Sequence, residues 1–379
     1  MEFEPETSGI SDSENLNLQA LAELAGRIFM ERENVRIKPE EALTMQSLIA
    51  VGTSAGGRQP KAIIAVNPMT GEVRSGQIAG QEGFEYCILK FGDPDRSSAE
   101  LEMAYYEMAT AAGIEMMPCH IIEVEGKRHF LTRRFDRKGE YRLHTQTLAA
   151  LFPEADSYEK LLIVCRKMRL PELTQEEVFR RMVFNILANN TDDHNKNFSF
   201  LMDMEGKWSL APAYDLTYIF NIGGYLPEVT HCLMMRGKLS GHTKDDALTV
   251  AKDNGIRKAE SIIQQVAEAV VQFRNFAKRN GVKEQWTSAV EATLNQHLED
   301  WGFTHRKKVS VSFDINGKHY SNVSVEQTYK GNYHLLADIN GKERKFIIGK
   351  DKPEYSMIQS AGTSSLTDKQ LKEMCEKYL

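Results

Sequence analysis

Between two apolar runs the chain places Asn189-Asn190-Thr191-Asp192-Asp193-His194-Asn195-Lys196-Asn197, and eighteen residues after Asn197 it places Asp215, within Ala213-Tyr214-Asp215-Leu216. An Asp, an Asn five residues later and a second Asp beyond a short hairpin form the acid–amide set of a phosphoryl-transfer site. One carboxylate takes the proton of an attacking hydroxyl, and an Asn with another carboxylate holds Mg²⁺ against the phosphates. Asp192 is the candidate base, and Asn197 and Asp215 are the candidate Mg²⁺ ligands. Asp192 and Asp193 repel one another, so one of them requires compensation, and His194 and Lys196 are the nearest cationic candidates. Two alternatives stay open from the residues alone. Asp-Asp-His is also what a solvated helix C-terminus looks like. A dinuclear metal hydrolase could use Asp192, Asp193, His194 and Asp215, but it would call for more His ligands and leave the upstream glycine loop without a role.

Lys90 sits within the apolar stretch Phe84–Phe91, which reads as a buried strand. An unpaired ammonium there is costly, so Lys90 needs an anionic partner, and a nucleotide phosphate would serve. Glu100 and Glu102 on the following helical stretch could orient it, with Glu100 the preferred choice. The loop Gly52-Thr53-Ser54-Ala55-Gly56-Gly57-Arg58-Gln59-Pro60-Lys61 can turn backbone N–H groups toward phosphates, because Gly56 and Gly57 permit positive φ and close approach. It matches neither the P-loop spacing nor the usual kinase glycine loop, and a plain loop is the alternative. Arg134, Phe135 and Asp136 follow a strand and could flank an adenine, or Arg134 and Asp136 could simply pair with each other.

The surrounding pattern supplies elements to hold these groups. Leu16–Met30 reads as an amphipathic helix, Ala62–Val66 and Val73–Ile78 as an antiparallel pair, and Ser98–Ala112 as a helix stopped by Gly113. His120–Val124 and His129–Phe135 read as a hairpin. Tyr158–Met168 and Glu176–Leu187 are amphipathic helices, the second leading into the Asn189–Asn197 loop. The hairpin Phe198–Met202 and Trp208–Leu210 returns Asp215 to the same end as that loop. Helices are expected near 244–253, 258–280 and 283–300. Beyond residue 305 two Asn-Gly turns 24 residues apart predict a four-stranded meander, with a closing helix near Asp368–Tyr378. The expected organisation is therefore residues 1–45 as an acidic segment and helix, 46–140 with the glycine loop and the Lys90 strand, 141–304 helical with the catalytic loop, and 305–379 as an added β-rich module.

Composition sets limits and names no activity. Of 379 residues, 41% are hydrophobic and 26% charged, as in soluble globular chains. No apolar run approaches the roughly 18 residues of a membrane span, so no membrane association is expected. Five scattered cysteines without a Cys-x-x-Cys pair, and an acidic start instead of a secretory signal, suggest a reducing cytoplasm. A net charge of −6 gives no electrostatic reason for direct nucleic-acid binding. Residues 305–379 carry thirteen Lys/Arg against nine Asp/Glu, or +4, while the remainder carries −10. That module is expected to be structural, with docking of an acidic partner the alternative.

Ser54-Ala-Gly-Gly-Arg-Gln-Pro-Lys61, Ile88-Leu-Lys90, Arg134-Phe-Asp-Arg137, Thr191-Asp-Asp-His-Asn-Lys-Asn-Phe198 and Ala211-Pro-Ala-Tyr-Asp-Leu216 together resemble the HipA-like serine/threonine kinases, toxins of bacterial toxin–antitoxin systems. The resemblance covers roughly residues 45–300. It implies an α+β, two-lobed protein-kinase-like fold with a mostly helical C-lobe, binding ATP and Mg²⁺. It further implies that Lys90 holds the α/β phosphates, Asp192 is the catalytic base, Asn197 and Asp215 bind Mg²⁺, and Ser54 is an autophosphorylated loop serine. A phosphate on Ser54 would add about −1.5 to −2 charge and weaken ATP binding. Implied partners are a protein substrate, an aminoacyl-tRNA synthetase among the known targets, and a small helix-turn-helix antitoxin through which alone DNA is engaged. Two departures stand out. About 50 residues precede the glycine loop, short for the small N-terminal subdomain common in the family, which a separate chain could supply or whose role the C-terminal meander could partly take over. The 305–379 module is not part of the family pattern. Rival functions are a small-molecule or lipid kinase on the same scaffold, and a non-catalytic nucleotide-sensing partner of a transcriptional regulator.

Overall fold

The computed structural model describes residues 60–76, 81–124, 126–138, 141–220 and 230–303, together with the backbone of four later strands. The expected helix at Leu16–Met30, the glycine loop (Gly52, Thr53, Ser54, Ala55, Gly56 and Gly57) and the expected helix near Asp368–Tyr378 lie outside the described residues. The chain divides into two compact units, Met1–His297 and Leu298–Leu379. Among the described residues no helix is long and apolar enough to cross a membrane.

In the first unit, Lys61–Val66 (β1), Val73–Ser75 (β2) and Glu85–Lys90 (β3) precede the helix Ser98–Ala111 (α1), and Cys119–Val124 (β4) and Lys127–Arg133 (β5) follow it. The five strands make one antiparallel sheet in the order β2-β1-β3-β5-β4. β1 and β3 are rich in β-branched and aromatic residues and largely buried, as suits central strands. Their register sets Lys61 directly opposite Lys90, and Lys90 opposite Phe130. The β1–β2 turn is set by Asn67, whose Oδ1 accepts from the N–H groups of Met69 and Thr70 at 2.9 and 3.2 Å.

α1 packs on the sheet through Ala99, Met103 and Tyr106, which meet Cys119, Ile121 and Phe130. The adjoining side carries the fully buried Tyr105, edge-on to Phe184 and Phe273 at 6.3 and 6.0 Å. The Tyr105 hydroxyl donates to the Ala188 carbonyl at 2.6 Å, at the threshold of the Asn189–Asn197 loop. Glu102 lies one turn earlier on the same face. Gly113, at φ 82, ends the segment where a Cβ would meet Gln265 and Arg180 within 3.2 Å. Removing only the hydroxyl, in Tyr105→Phe, leaves that buried carbonyl unsatisfied. The expected cost is about 1–2 kcal/mol, read as a lower denaturant midpoint at unchanged m-value.

The remainder of this unit holds Arg137–Lys138 (β6), Tyr141–Arg142 (β7), His144–Thr147 (β8), Leu148–Leu151 (α2), Tyr158–Lys167 (α3), Glu172–Leu187 (α4), Ser199–Met202 (β9), Trp208–Leu210 (β10), Lys244–Asp253 (α5), Ala259–Val270 (α6), Phe273–Asn280 (α7) and the start of Glu284–Asp300 (α8). β8 joins the expected β9–β10 hairpin as a third strand, in the order β10-β9-β8. The single helix expected over 258–280 is two, broken at Val271–Gln272, and Phe273 after the break packs on Tyr105. α4 starts at Glu172, four residues before the expected Glu176, because its first turn exposes Leu173 and shows no apolar stripe.

In the second unit Lys308–Ile315 (β11), Lys318–Gln327 (β12), Tyr333–Ile339 (β13) and Lys342–Ile348 (β14) form an antiparallel sheet in sequence order. A register shift between Val311 and Phe313 marks a bulge.

Candidate active site

A cleft enclosing about 1130 Å³ of space, mouth included, opens in the first unit. Its walls bring together Lys61, Lys90, Glu102, Asn197 and Asp215, with Phe135 and Tyr214 at one side. Lys90 reaches it from the end of β3, where the ammonium is bonded to both Glu102 and Asp215. Burial alone would push the Lys90 pKa down, but the charges of Asp215 and Glu102 outweigh it and hold the pKa above its ordinary value. The two carboxylates share that ammonium unequally. Burial pushes Glu102 up, whereas Lys90 and then Lys61 overcome burial at Asp215 and hold it down.

The partner of Lys90 is Glu102, not the preferred Glu100. Glu100 faces Arg128 at 3.5 Å, whereas Glu102 sits with Ala99 and Tyr105 on the buried face of α1. Lys61, which the sequence placed only at the end of the glycine loop, is buried beside Lys90. Two like charges opposite one another across strands are unfavourable. Glu102 and Asp215 offset them. Lys61 lines the cleft, and its side chain forms no hydrogen bond or ion pair among the described residues.

The Asn189–Asn197 loop is built from the end of α4. Asn189 takes φ 51, and the Asn190 side chain donates to Asn185 Oδ1 at 2.9 Å. Asp192 is not among the residues lining the cleft; its side chain is 52% exposed and stands 3.6 Å from Nε2 of His194, which does line it. Burial raises its pKa, His194 opposes, and Asp215 and Asp193 raise it further. Asn197 donates its Nδ2 to the Asp192 carbonyl at 2.7 Å, which identifies Oδ1 as its free acceptor. Tyr214 ties this loop to the next segment by donating to the Lys196 carbonyl at 2.7 Å and meeting Ser199 Oγ at 2.6 Å. Asp215 follows at φ 56, a left-handed conformation that a non-glycine residue holds only where its surroundings enforce it.

Arg134 and Asp136 pair locally, with Nε–Oδ1 and Nη2–Oδ2 contacts of 2.8 and 2.6 Å, and Arg137 adds a third contact at 2.8 Å. Between them Phe135 packs 5.4 Å from Tyr214 on the cleft wall. Asp193 does not face the cleft, although the sequence set it beside Asp192. Its buried carboxylate accepts from Tyr158, His231 and the Cys232 N–H, none of which the sequence singled out. A shared metal cluster of Asp192, Asp193, His194 and Asp215 therefore has no counterpart here. Among the described residues no group of three or more His, Cys, Asp or Glu is arranged to hold a metal ion. A magnesium held by one carboxylate, one amide oxygen and phosphate oxygens needs no such group.

The sequence profile of the HipA-like C-terminal domain family matches residues 53–273. The chain belongs to that family. The resemblance carried by the quoted motifs is therefore met. A protein of Sinorhizobium fredii (strain NBRC 101917 / NGR234) named "Putative kinase Y4mE" is 25% identical over 198 residues, 46% of this chain and 46% of that protein. The chain thus spans about half the length of that relative. A Haemophilus influenzae (strain ATCC 51907 / DSM 11121 / KW20 / Rd) protein named "Putative kinase" is 23% identical over 256 residues, 61% of this chain and 71% of its own length. Among solved structures, the Shewanella oneidensis MR-1 toxin–antitoxin complex of HipA, HipB and operator DNA matches with a TM-score of 0.56 at 16% identity, over 79% of this chain and 75% of that one. At that identity the likeness is one of fold, and it agrees with the α+β class.

Proposed function

We propose that this chain is an ATP- and Mg²⁺-dependent protein serine/threonine kinase on a two-lobed kinase-like scaffold. The observation that carries the reading is Lys90, bonded by both Glu102 and Asp215, in a cleft that also receives Asn197, Lys196 and His194, with the exposed Asp192 3.6 Å from His194. Phosphoryl transfer asks the protein for position and charge balance more than for covalent chemistry, and this set provides both. Lys61 and Lys90 face the phosphates. Asp215 and the free Oδ1 of Asn197 are hard oxygen donors suited to Mg²⁺, which when bound would neutralise phosphate charge. Asp192 accepts the proton of the serine or threonine hydroxyl as its oxygen bonds to the γ-phosphorus. The bond from that phosphorus to the β,γ-bridging oxygen breaks, and ADP leaves with the electron pair. His194, 3.6 Å from Asp192, and Lys196 on the cleft wall would counter the charge that Asp192 carries before it takes the proton.

In this reading the chain restrains growth by phosphorylating a cellular protein, with an aminoacyl-tRNA synthetase a candidate, and autophosphorylates at Ser54. A small helix-turn-helix antitoxin holds it in check and provides the only link to DNA, and a separate small subdomain protein completes the N-terminal side. Support for the antitoxin comes from family membership and from the HipB present in the similar complex. The experiment is incubation with γ-labelled ATP, Mg²⁺ and cell lysate. Label in protein at serine or threonine supports the reading. Label in a lipid or small solute replaces it with the neighbouring kinase chemistry, and no transfer at all with tight nucleotide binding replaces it with a sensor.

A further inference from the structure

We propose that Asp193 is a positioning residue that aims Asp192 at the acceptor hydroxyl and locks the segment 231–235 beside it. The inference rests on the phosphoryl-transfer reading of the cleft. The two residues are adjacent, so anchoring the side chain of one restricts the backbone that carries the other. Asp193 is held inward with no side-chain exposure, while Asp192 next to it is half exposed and 3.6 Å from the cleft-lining His194.

The inward carboxylate is fully engaged. Oδ2 accepts from the Tyr158 hydroxyl at 2.5 Å and faces His231 Nδ1 at 2.9 Å, while Oδ1 accepts from the Cys232 N–H at 2.7 Å. Tyr158 in turn accepts from Asn185 at 2.9 Å, so the network continues into α4, which delivers the loop. Residues 231–235 have no helix or long strand of their own. They are fixed by Asp193 on one side and by α3 on the other, where Met234 donates to the Asp156 carbonyl and accepts from the Tyr158 N–H at 2.9 and 3.0 Å. One buried carboxylate therefore joins α3, α4, the catalytic loop and the segment after the cleft. A buried anion can hold such a junction only while its donors remain in place. Its function would be to keep Asp192 on one heading as acceptor and product exchange.

The test compares wild type with Asp193→Asn, His231→Leu, His231→Asn and the Asp193→Asn/His231→Leu double variant. Two readouts are taken with MgATP as substrate and water as acceptor: kcat and KM for phosphate release, and hydrogen exchange at the Cys232 and Leu233 amides. Asp193→Asn should lower kcat about 30-fold and His231→Leu about 10-fold, with KM for MgATP changed less than about 3-fold. His231→Asn, which keeps a donor near the Nδ1 position, should recover most of the lost rate. The double variant should be no slower than Asp193→Asn, because both act through one contact. Exchange at the two amides should quicken in Asp193→Asn. Wild-type kcat in Asp193→Asn, loss of kcat in proportion to a lowered melting temperature across all variants including His231→Asn, or unchanged amide exchange would each overturn the proposal. The exchange arm needs no turnover, so it judges the linkage even in a wild type that fails to bind MgATP, an outcome that would count against the phosphoryl-transfer reading instead.

Discussion

Lys90→Met is expected to lose MgATP turnover by about 10²–10³-fold in kcat/KM and to destabilise the fold by about 3–5 kcal/mol. The two losses have different origins. Turnover falls because the phosphates lose a preorganised cation. Stability falls because Glu102, 6% exposed, keeps its burial and loses the ammonium that justified it, while Asp215 is left close to it. The double variant Lys90→Met/Glu102→Gln separates the two. Removing the orphaned carboxylate should restore most of the stability and none of the activity, since breaking a buried pair costs more than replacing it. Chemical denaturation and steady-state kinetics on the same preparations would check both. Recovery of activity in the double variant would show that Lys90 serves the fold alone.

Asp192→Asn is expected to lower kcat by about 10²–10⁴-fold with little change in stability or in KM for ATP. Asp192 is half exposed, its carboxylate has no close hydrogen-bond partner among the described residues, and its tie to Asn197 runs through the backbone carbonyl, which the substitution leaves intact. A raised pKa suits it to the role, because a stronger base takes a hydroxyl proton more readily. The sign of the pH effect follows. The ionised form is the active one, so wild-type kcat is present at higher pH and falls as pH drops through a pKa above the ordinary 3.8. The residual activity of Asp192→Asn should lack that acidic limb. A limb that persisted in the variant would belong to another group, and Asp192 would lose its assignment.

The motif residues were legible because their types are hard to explain by folding alone. A polar run between apolar stretches, and a lysine in a buried strand, each demanded a partner. The spacing also gave the elements around them, since β9, β10 and α3 obey simple periodicities. What stayed hidden required knowing which surfaces meet. Glu102 carried a usable signal, for it lies three residues from both Ala99 and Tyr105 on the apolar stripe of α1, while Glu100 falls outside it. Lys61 became visible only through the β1–β3 register, a long-range pairing that a single sequence does not specify. The Asp193 network could not be read at all, because Tyr158 and His231 lie 35 and 38 residues away along the chain. The paired aspartates looked like one functional unit, and burial divides them into an outward carboxylate and an inward one.

A structure of the protein bound to Mg²⁺ and a non-hydrolysable ATP analogue tests the central claim most directly. The account predicts the triphosphate in this cleft, Lys90 and Lys61 on the phosphates, the metal on Asp215 and Asn197 Oδ1, and Asp192 facing the open side of the γ-phosphate. A nucleotide bound elsewhere, or one bound here with Lys90 still held by Asp215 and no metal between that carboxylate and the phosphates, would contradict it.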